Sequence, residues 1–183
     1  MPKTITHGII LSAIKYGESS LIVTAYTLEH GRQAYIVSVS ASAKKLRQVL
    51  MTPLSIVEIE ASDCKNSTMK RLSSVNLEYV FRSVPFDVSK RSIAIFLAEL
   101  FQQATLEAAP DERTYSFLRQ SIEVLDQGVE GLANFHLLIM FNLARLLGFA
   151  PDTGDNRLPY FDMVDGAYRE LHPMHPNVLS GGE

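Results

Sequence analysis

Three groups of side chains in this sequence have types and spacings that chemistry can use. Gly17-Glu18-Ser19-Ser20 sets serines beside a glycine and a carboxylate, but the Gly-x-Ser-x-Gly spacing that presents a nucleophile on a strained turn is absent. These residues read as polar strand-entry positions, with Glu18 capping or pairing at the strand start or standing at a binding surface. His172 and His175 are three apart, a spacing that can hold a metal, with Asp162 and Asp165 the nearest further donors. Two ligands are too few, and Pro173 and Pro176 break any helix that would align the rings. Loop histidines facing solvent, and no metal, are the expectation. A metal-dependent hydrolase built on this pair is the weakest functional reading. His136 reads as a packing residue and Cys64 as a loop thiol. With no Gly-rich phosphate loop and no zinc-protease helix, the chain is expected to carry no catalytic residue and no cofactor, and not to be an enzyme.

The third group is basic: Lys44, Lys45 and Arg47, with Arg32 in a hairpin turn and Lys15 just before Tyr16-Gly17. A run of charge is most often only a solvated face. Here, though, residues 1–80 hold nine Lys/Arg against six Asp/Glu, a net +3, whereas the rest of the chain nets −6. The overall −3 conceals that asymmetry. The same basic half carries Tyr16, Tyr26, Tyr35 and Tyr79 on strand-like segments. Single-stranded nucleic acid is held by lysine and arginine on its phosphates and by aromatic faces under its bases. Lys15, Arg32, Lys44, Lys45 and Arg47 are therefore the expected DNA-contacting set, and nothing in the pattern suggests base-specific readout.

These residues need a scaffold, and the hydrophobic periodicity supplies one. Leu21–Thr27 and Gln33–Val39 are rich in β-branched and aromatic residues, and Glu29-His30-Gly31 between them supplies a turn, which makes a hairpin. Ile5–Ile14 precedes it as a strand, with Gly8 as a bulge or close-approach point. Ser40–Leu50, small and polar and then basic, reads as a loop or short helical turn. Leu54–Ala61 follows as a strand opened by Pro53, Ser62–Thr68 has turn chemistry, and Leu72–Phe81 alternates Val75, Leu77, Tyr79 and Phe81 on one face. Five strands with a connector between the third and fourth fit a small OB-type barrel.

After Pro85 the period changes to that of helices. Ser89 is expected to cap a helix carrying Ile93, Phe96, Leu97, Leu100, Phe101 and Ala104. Asp111 starts a second, with Tyr115, Leu118, Ile122 and Leu125 on one face and Gly128 at its end. Leu132–Phe149 is apolar over most of its circumference and is expected to be the central helix, stopped by Gly148 and Pro151. From Asp152 onward no sustained period remains; a turn or hairpin is expected at Asp165-Gly166 and no element at the very end. The fold class is thus α+β multi-domain: a five-stranded OB-fold barrel over residues 1–82, then an all-α helical domain over 83–183 with a cysteine-free irregular tail. Hydrophobic residues make up 46% and charged residues 20%, ordinary for a folded soluble chain. No apolar run reaches the roughly 18 residues that span a bilayer. The start lacks the apolar segment of a signal peptide and the single cysteine forms no internal disulfide, so a cytoplasmic address is expected.

Two stretches resemble a known family. His7-Gly8-Ile9-Ile10-Leu11, then Tyr16-Gly17-Glu18-Ser19-Ser20-Leu21-Ile22-Val23-Thr24 and Thr27-Leu28-Glu29-His30-Gly31-Arg32, are similar to the start of the RecO family of bacterial recombination mediators. Leu143-Ala144-Arg145-Leu146-Leu147-Gly148-Phe149-Ala150-Pro151-Asp152 looks like the end of a helix in that family's C-terminal domain. The resemblance implies an N-terminal OB domain and a helical C-terminal domain. It implies binding of single- and double-stranded DNA and annealing of complementary strands. It further implies work with RecR in loading RecA onto strands coated by the single-stranded-DNA-binding protein, at the nucleoid. Many members place a four-cysteine zinc site after the Gly-Phe-Ala-Pro-Asp stretch; Thr153–His175 contains no cysteine here, and Tyr160, Phe161 and Tyr168 are expected to pack in its place. Members also usually carry a Lys-Gly-Ala-Arg-like segment after the third strand, where this chain reads Ser38-Val39-Ser40-Ala41-Ser42-Ala43-Lys44-Lys45 with its bases later. They tend to continue with more helix past the equivalent of Glu183, so either a shortened or an incompletely observed version of the family chain, with an incomplete helical core, is the expectation. A protein-interaction adaptor, its acidic helical half holding a partner, is the alternative.

Overall fold

A computed structural model of the chain describes residues 3–39, 43–64, 69–106, 109–128, 130–152, 154 and 157–180. Five strands close a barrel: β1 (Lys3–Tyr16), β2 (Ser20–Thr27), β3 (Gly31–Ser38), β4 (Ile56–Ser62) and β5 (Lys70–Leu77), in the order β1-β2-β3-β5-β4 with β4 returning to β1. Only the β3–β5 pair is parallel. The helix α1 (Lys44–Met51) connects β3 to β4. This is the OB arrangement, and it matches the five expected strands and the expected connector. Ser40–Ser42 of that connector, and Lys65–Thr68 of the expected β4–β5 turn, lie outside the described residues.

Closure depends on the length of β1. Its first half pairs with β4 and its second half with β2, and Gly8 sits in both ladders, opposite Val57 and Thr27. A Cβ added at Gly8 would lie 3.0 Å from Ile59 Cδ1 and 3.4 Å from Thr27 Cγ2, so glycine there permits a close approach. The register shift falls instead between Ile10 and Ser12, where it increases the local twist. Alternate positions turn inward: Leu21, Val23 and Ala25 of β2 meet Tyr35 and Val37 of β3, Val57 and Ile59 of β4 and Leu72 of β5. α1 buries Leu50 among them, with Leu46 and Val49 half-buried alongside.

Two strands differ from their expected limits for local reasons. β4 begins at Ile56 rather than Leu54 because Leu54 takes a left-handed φ of 62°, held there by its amide donating to Ile10 O at 2.9 Å. β5 ends at Leu77, so Tyr79 and Phe81 are not strand residues. The chain past Glu78 is drawn off by the carboxylate of Asp126.

The helices that follow are α2 (Val88–Ala104) and α3 (Glu112–Gln127). Asp87, not Ser89, caps α2, its side chain accepting from Lys90 N at 3.0 Å; Ser89 lies one residue inside the helix. The buried stripe of α2 is Ala94, Leu97, Ala98 and Phe101, so Ile93, Phe96 and Leu100 are not its centre and Phe96 is 41% exposed. α3 starts at its Asp111 cap, ends at Gly128 (φ 107°), and buries Tyr115, Leu118, Ile122 and Leu125 as the periodicity predicts. A 3-10 turn over Leu132–Asn134 then leads into α4 (Phe135–Leu146).

By internal contacts the chain divides at His136. The first unit, residues 1–136, holds the barrel together with α1, α2 and α3. The second, from Leu137 onward, holds most of α4 and a three-stranded sheet of β6 (Tyr160–Asp162), β7 (Ala167–Arg169) and β8 (Val178–Ser180) in the order β7-β6-β8. β6 and β7 form the hairpin expected at Asp165-Gly166. β8 stands where no element was expected, paired to β6. The aromatic residues of this tail do pack, Phe161 on Tyr168 at 5.0 Å between ring centres. α4 is not a fully buried central helix: Ile139 and Leu143 are buried, but Leu137 is 53% and Leu138 54% exposed, with Met140 and Phe141 also exposed.

Candidate nucleic-acid interface

The basic group is organised by α1. At 3.6 residues per turn, its apolar positions Leu46, Val49 and Leu50 face the barrel, and Arg47, Lys44 and Lys45 span an arc of roughly 160° on the outside. Lys44 lies between the other two. Lys44 and Arg47 line an open cleft of about 560 Å³, with Glu18 and Ser19 of the β1–β2 turn and Val39 after β3. Gly17 makes that turn with φ 67°, and Val39 N donates to Ser19 O at 2.7 Å, tying the turn to the end of β3. Glu18 thus stands in the cleft as a carboxylate facing two cations.

Lys15 belongs to the same end of the barrel. It pairs across with Leu21 and shares the inward face of Ala13, but at the barrel's mouth, where it is exposed. Arg32 does not join this group. It pairs with Tyr26 at the far end of the β2–β3 hairpin, six residues along the strand from Ser38, or roughly 20 Å. Its place at the β2–β3 turn sets it at the opposite end of β3 from the segment that leads into α1. Among the described residues, none of Lys15, Arg32, Lys44, Lys45 and Arg47 has a salt-bridge or side-chain hydrogen-bond partner. Bases elsewhere are engaged: Lys3 with Glu60 at 2.7 Å, Lys90 with Ser83 and Asp126 O, and Arg119 with Glu78 and Glu123.

Of the four tyrosines on the strand-like segments of the basic half, Tyr26 and Tyr35 are fully buried and offer no stacking face. Burial lifts the Tyr35 hydroxyl far above its ordinary value. Tyr16, 54% exposed, stands open on the sheet's outer face. Beside it a row of residues crosses four strands: Ile14, Ile22, Ile36 and Arg71. Arg71 is an exposed base on this row, and a fifth strand that starts at Leu72 leaves it out. Its alternation with the buried Leu72 was the signal.

On its other flank α1 faces a second concavity, about 400 Å³, between Lys45, Gln48 and Thr52 and the segment Leu77–Phe86. Asp126, almost completely buried at the end of α3, fixes that segment. Its carboxylate accepts from the backbone amides of Arg82 (2.8 Å), Ser83 (2.9 Å) and Val84 (2.9 Å) and from the Tyr79 hydroxyl (3.0 Å). Burial alone would push this carboxyl up, but the four donors outweigh it and hold it below the usual carboxylate range. A second network ties β1 to α3: His7 Nδ1 meets Glu78, which also receives Arg119 Nη1 at 2.9 Å. The hydrogen bond to Glu78 raises His7 above the ordinary histidine value, against the effect of burial.

The tail histidines do not meet. His172 contacts Pro173 O at 2.6 Å and packs edge-on against Tyr160, whereas His175 Nε2 lies 3.2 Å from Asp162 Oδ1. Asp162 spends the same oxygen on the amides of Val164 and Asp165. Among the described residues no three His, Cys, Asp or Glu side chains converge as a metal site would require. None of their helices is long and apolar enough to cross a membrane.

Comparison with known proteins agrees with this architecture. Residues 1–81 match the family model described as recombination protein O N terminal, and residues 85–156 match that for recombination protein O C terminal. A DNA repair protein RecO of Phocaeicola vulgatus is 38% identical over 180 residues, covering 97% of this chain and 75% of that protein. A DNA repair protein RecO of Flavobacterium psychrophilum is 36% identical over 169 residues, covering 91% and 71%. One from Bacteroides fragilis is 35% identical over 181 residues, covering 97% and 75%. Both family models fall in order on a closed five-stranded barrel and the helices after it: this chain belongs to the RecO family.

Proposed function

We propose that this protein is a DNA-binding recombination mediator that acts in repair by holding strands rather than by breaking bonds. It binds single- and double-stranded DNA and anneals complementary strands. With RecR it helps load RecA onto strands coated by the single-stranded-DNA-binding protein. One observation carries the binding step: Lys44, Lys45 and Arg47 project from one helix at the same end of the barrel as Lys15, and among the described residues none is committed to an intramolecular carboxylate. A cation already free of a partner gives up only water and counterions to take a phosphate. Arg32 and Arg71 offer separate contacts on the far end and the outer face. The protein partners and a nucleoid address rest on family membership alone.

The test is a titration of a single-stranded oligonucleotide across a salt series. Replacing Lys44, Lys45 and Arg47 by alanine should weaken binding and flatten the log–log salt slope by up to ~2, at about 0.7 per phosphate contact on a single strand. A triple variant with the affinity and slope of the wild type would remove these residues from the interface. A second reading, a protein-interaction adaptor, draws on the exposed apolar positions of α4, Leu137, Leu138, Met140 and Phe141. Affinity for DNA that does not change between low and physiological salt would favour it.

A further inference from the structure

We propose that the groove between α1 and the Leu77–Phe86 segment receives one unstacked base of a single-stranded nucleic acid whose phosphates run along the exposed face of α1. The inference rests on the nucleic-acid reading above and gives it a second contact, of different chemistry. At about 400 Å³ the groove is within the range of sites that hold small planar ligands. One wall carries Tyr79, Phe81 and Phe86 with Val80. Phe86 and Val80 are 79% and 72% exposed, an apolar surface that a flat π-face would cover. The other wall is polar: Gln48 has a side-chain amide with no partner among the described residues, and Thr52 donates its hydroxyl to Gln48 O at 2.7 Å, leaving lone pairs for a base edge.

The charge around the groove fits an anionic chain rather than a neutral one. Lys45 stands at one end. A recess of about 150 Å³ continues the groove past Thr52 and Pro85 to Arg91, whose guanidinium is held by Pro85 O. None of the residues lining either space is acidic. The aromatic wall is also held in place before any ligand arrives, because Asp126 grips Tyr79 by its hydroxyl and the chain by three successive amides. Preorganised walls reduce the ordering cost of binding. α1 is therefore a ridge between two concavities: Lys44 and Arg47 slope to the cleft at the β1–β2 turn, and Lys45 and Gln48 slope to the groove.

The experiment compares an oligothymidylate with an abasic deoxyribose-phosphate strand of equal length, each titrated against wild type and Phe86→Ala across a salt series. Stacking of one base is worth roughly 5- to 150-fold in affinity, so the wild type should prefer the thymidylate by that margin. Phe86→Ala should lose most of the preference while its affinity for the abasic strand and its salt slope stay unchanged. Phe86 is a surface residue, so the variant should keep the fold. Equal wild-type affinity for the two strands, or a Phe86→Ala protein with the preference intact, overturns base docking and leaves salt-dependent backbone binding standing. The first of those results is also expected if the groove instead takes an apolar peptide side chain. A wild type that binds neither strand overturns the nucleic-acid reading and this inference together.

Discussion

Replacing Asp126 by alanine removes the acceptor of three consecutive backbone amides and one tyrosine hydroxyl in a site closed to bulk water. Hydrogen bonds to a charged group are worth about 1.5–3 kcal/mol each, and a simple sum over four would reach ~6–12 kcal/mol. The sum overstates the loss, because the segment relaxes and water enters the space the carboxylate leaves. Breaking one partner of a buried charged network costs about 3–5 kcal/mol in practice, and that is the expected destabilisation of Asp126→Ala. Asp126→Asn keeps the shape and one acceptor but turns an amide group toward amide donors, so about 2–3 kcal/mol is expected. The assay is urea unfolding followed by far-UV circular dichroism, since the chain has no tryptophan. With a slope near 2 kcal/mol per molar, the alanine variant's midpoint falls by about 1.5–2.5 M at neutral pH. The pH dependence is a second handle. The folded carboxyl lies below its unfolded value of about 3.9, so its stabilisation is fully present above that pH and is lost as pH falls through the folded value. The gap between wild type and Asp126→Asn should therefore narrow on acidification. A midpoint for Asp126→Ala within error of wild type at neutral pH would refute the claim that this carboxylate shapes the Tyr79–Val84 segment.

Two further outcomes follow from the barrel. His7 is raised above its unfolded value of about 6.5 by Glu78, so its contribution is complete below that pH and disappears as pH rises through the folded value. The wild-type melting temperature should decline over that window while that of His7→Gln stays flat, and parallel curves would show the pair to be energetically idle. Gly8→Ala places a methyl 3.0 Å from Ile59 Cδ1 inside the barrel and should cost about 1–3 kcal/mol by overpacking; an unchanged unfolding midpoint would mean that Ile59 moves aside freely.

Much of this barrel could be read from alternation. Leu21, Val23 and Ala25 against Tyr35 and Val37 gave the hairpin its inward face, and the turn at Gly31 gave its register. What could not be read were features made by partners distant in sequence. Tyr26 and Tyr35 have the residue type of a stacking platform, but Tyr35 has the parity of the core, and Tyr26, on the outer face, is buried with its hydroxyl donating to Ala109 O at 3.2 Å ahead of α3. Tyr79 and Phe81 continue the alternation of β5, yet Asp126, more than forty residues further on, ends the strand and turns them into a groove wall. α1 is eight residues long with a single fully buried side chain, Leu50, too short for a period to assert itself. For α4, apolar composition alone could not distinguish a helix surrounded by protein from one left partly open.

The cations of this chain fall into two classes, and composition does not separate them. Lys3, Lys90, Arg119 and Arg169 each hold an oxygen of the protein at 3.0 Å or less. A phosphate would have to displace that oxygen and leave a carboxylate or carbonyl behind it unpaired, at a cost that cancels part of the gain. Among the described residues Lys44, Lys45 and Arg47 carry no such debt, and α1 holds them outward: Leu46, Val49 and Leu50 lock its inner face into the barrel, so the basic face cannot turn inward. The acid that lines the cleft with Lys44 and Arg47, Glu18, sits across it rather than in a salt bridge with either base. Its repulsion of phosphate works against binding at that one point, so Glu18→Gln should strengthen strand binding modestly, most visibly at low salt where the Debye length is long. A Glu18→Gln protein that binds more weakly would mean that the carboxylate orders Lys44 and Arg47 for the strand, and that the cleft is assembled rather than merely left free.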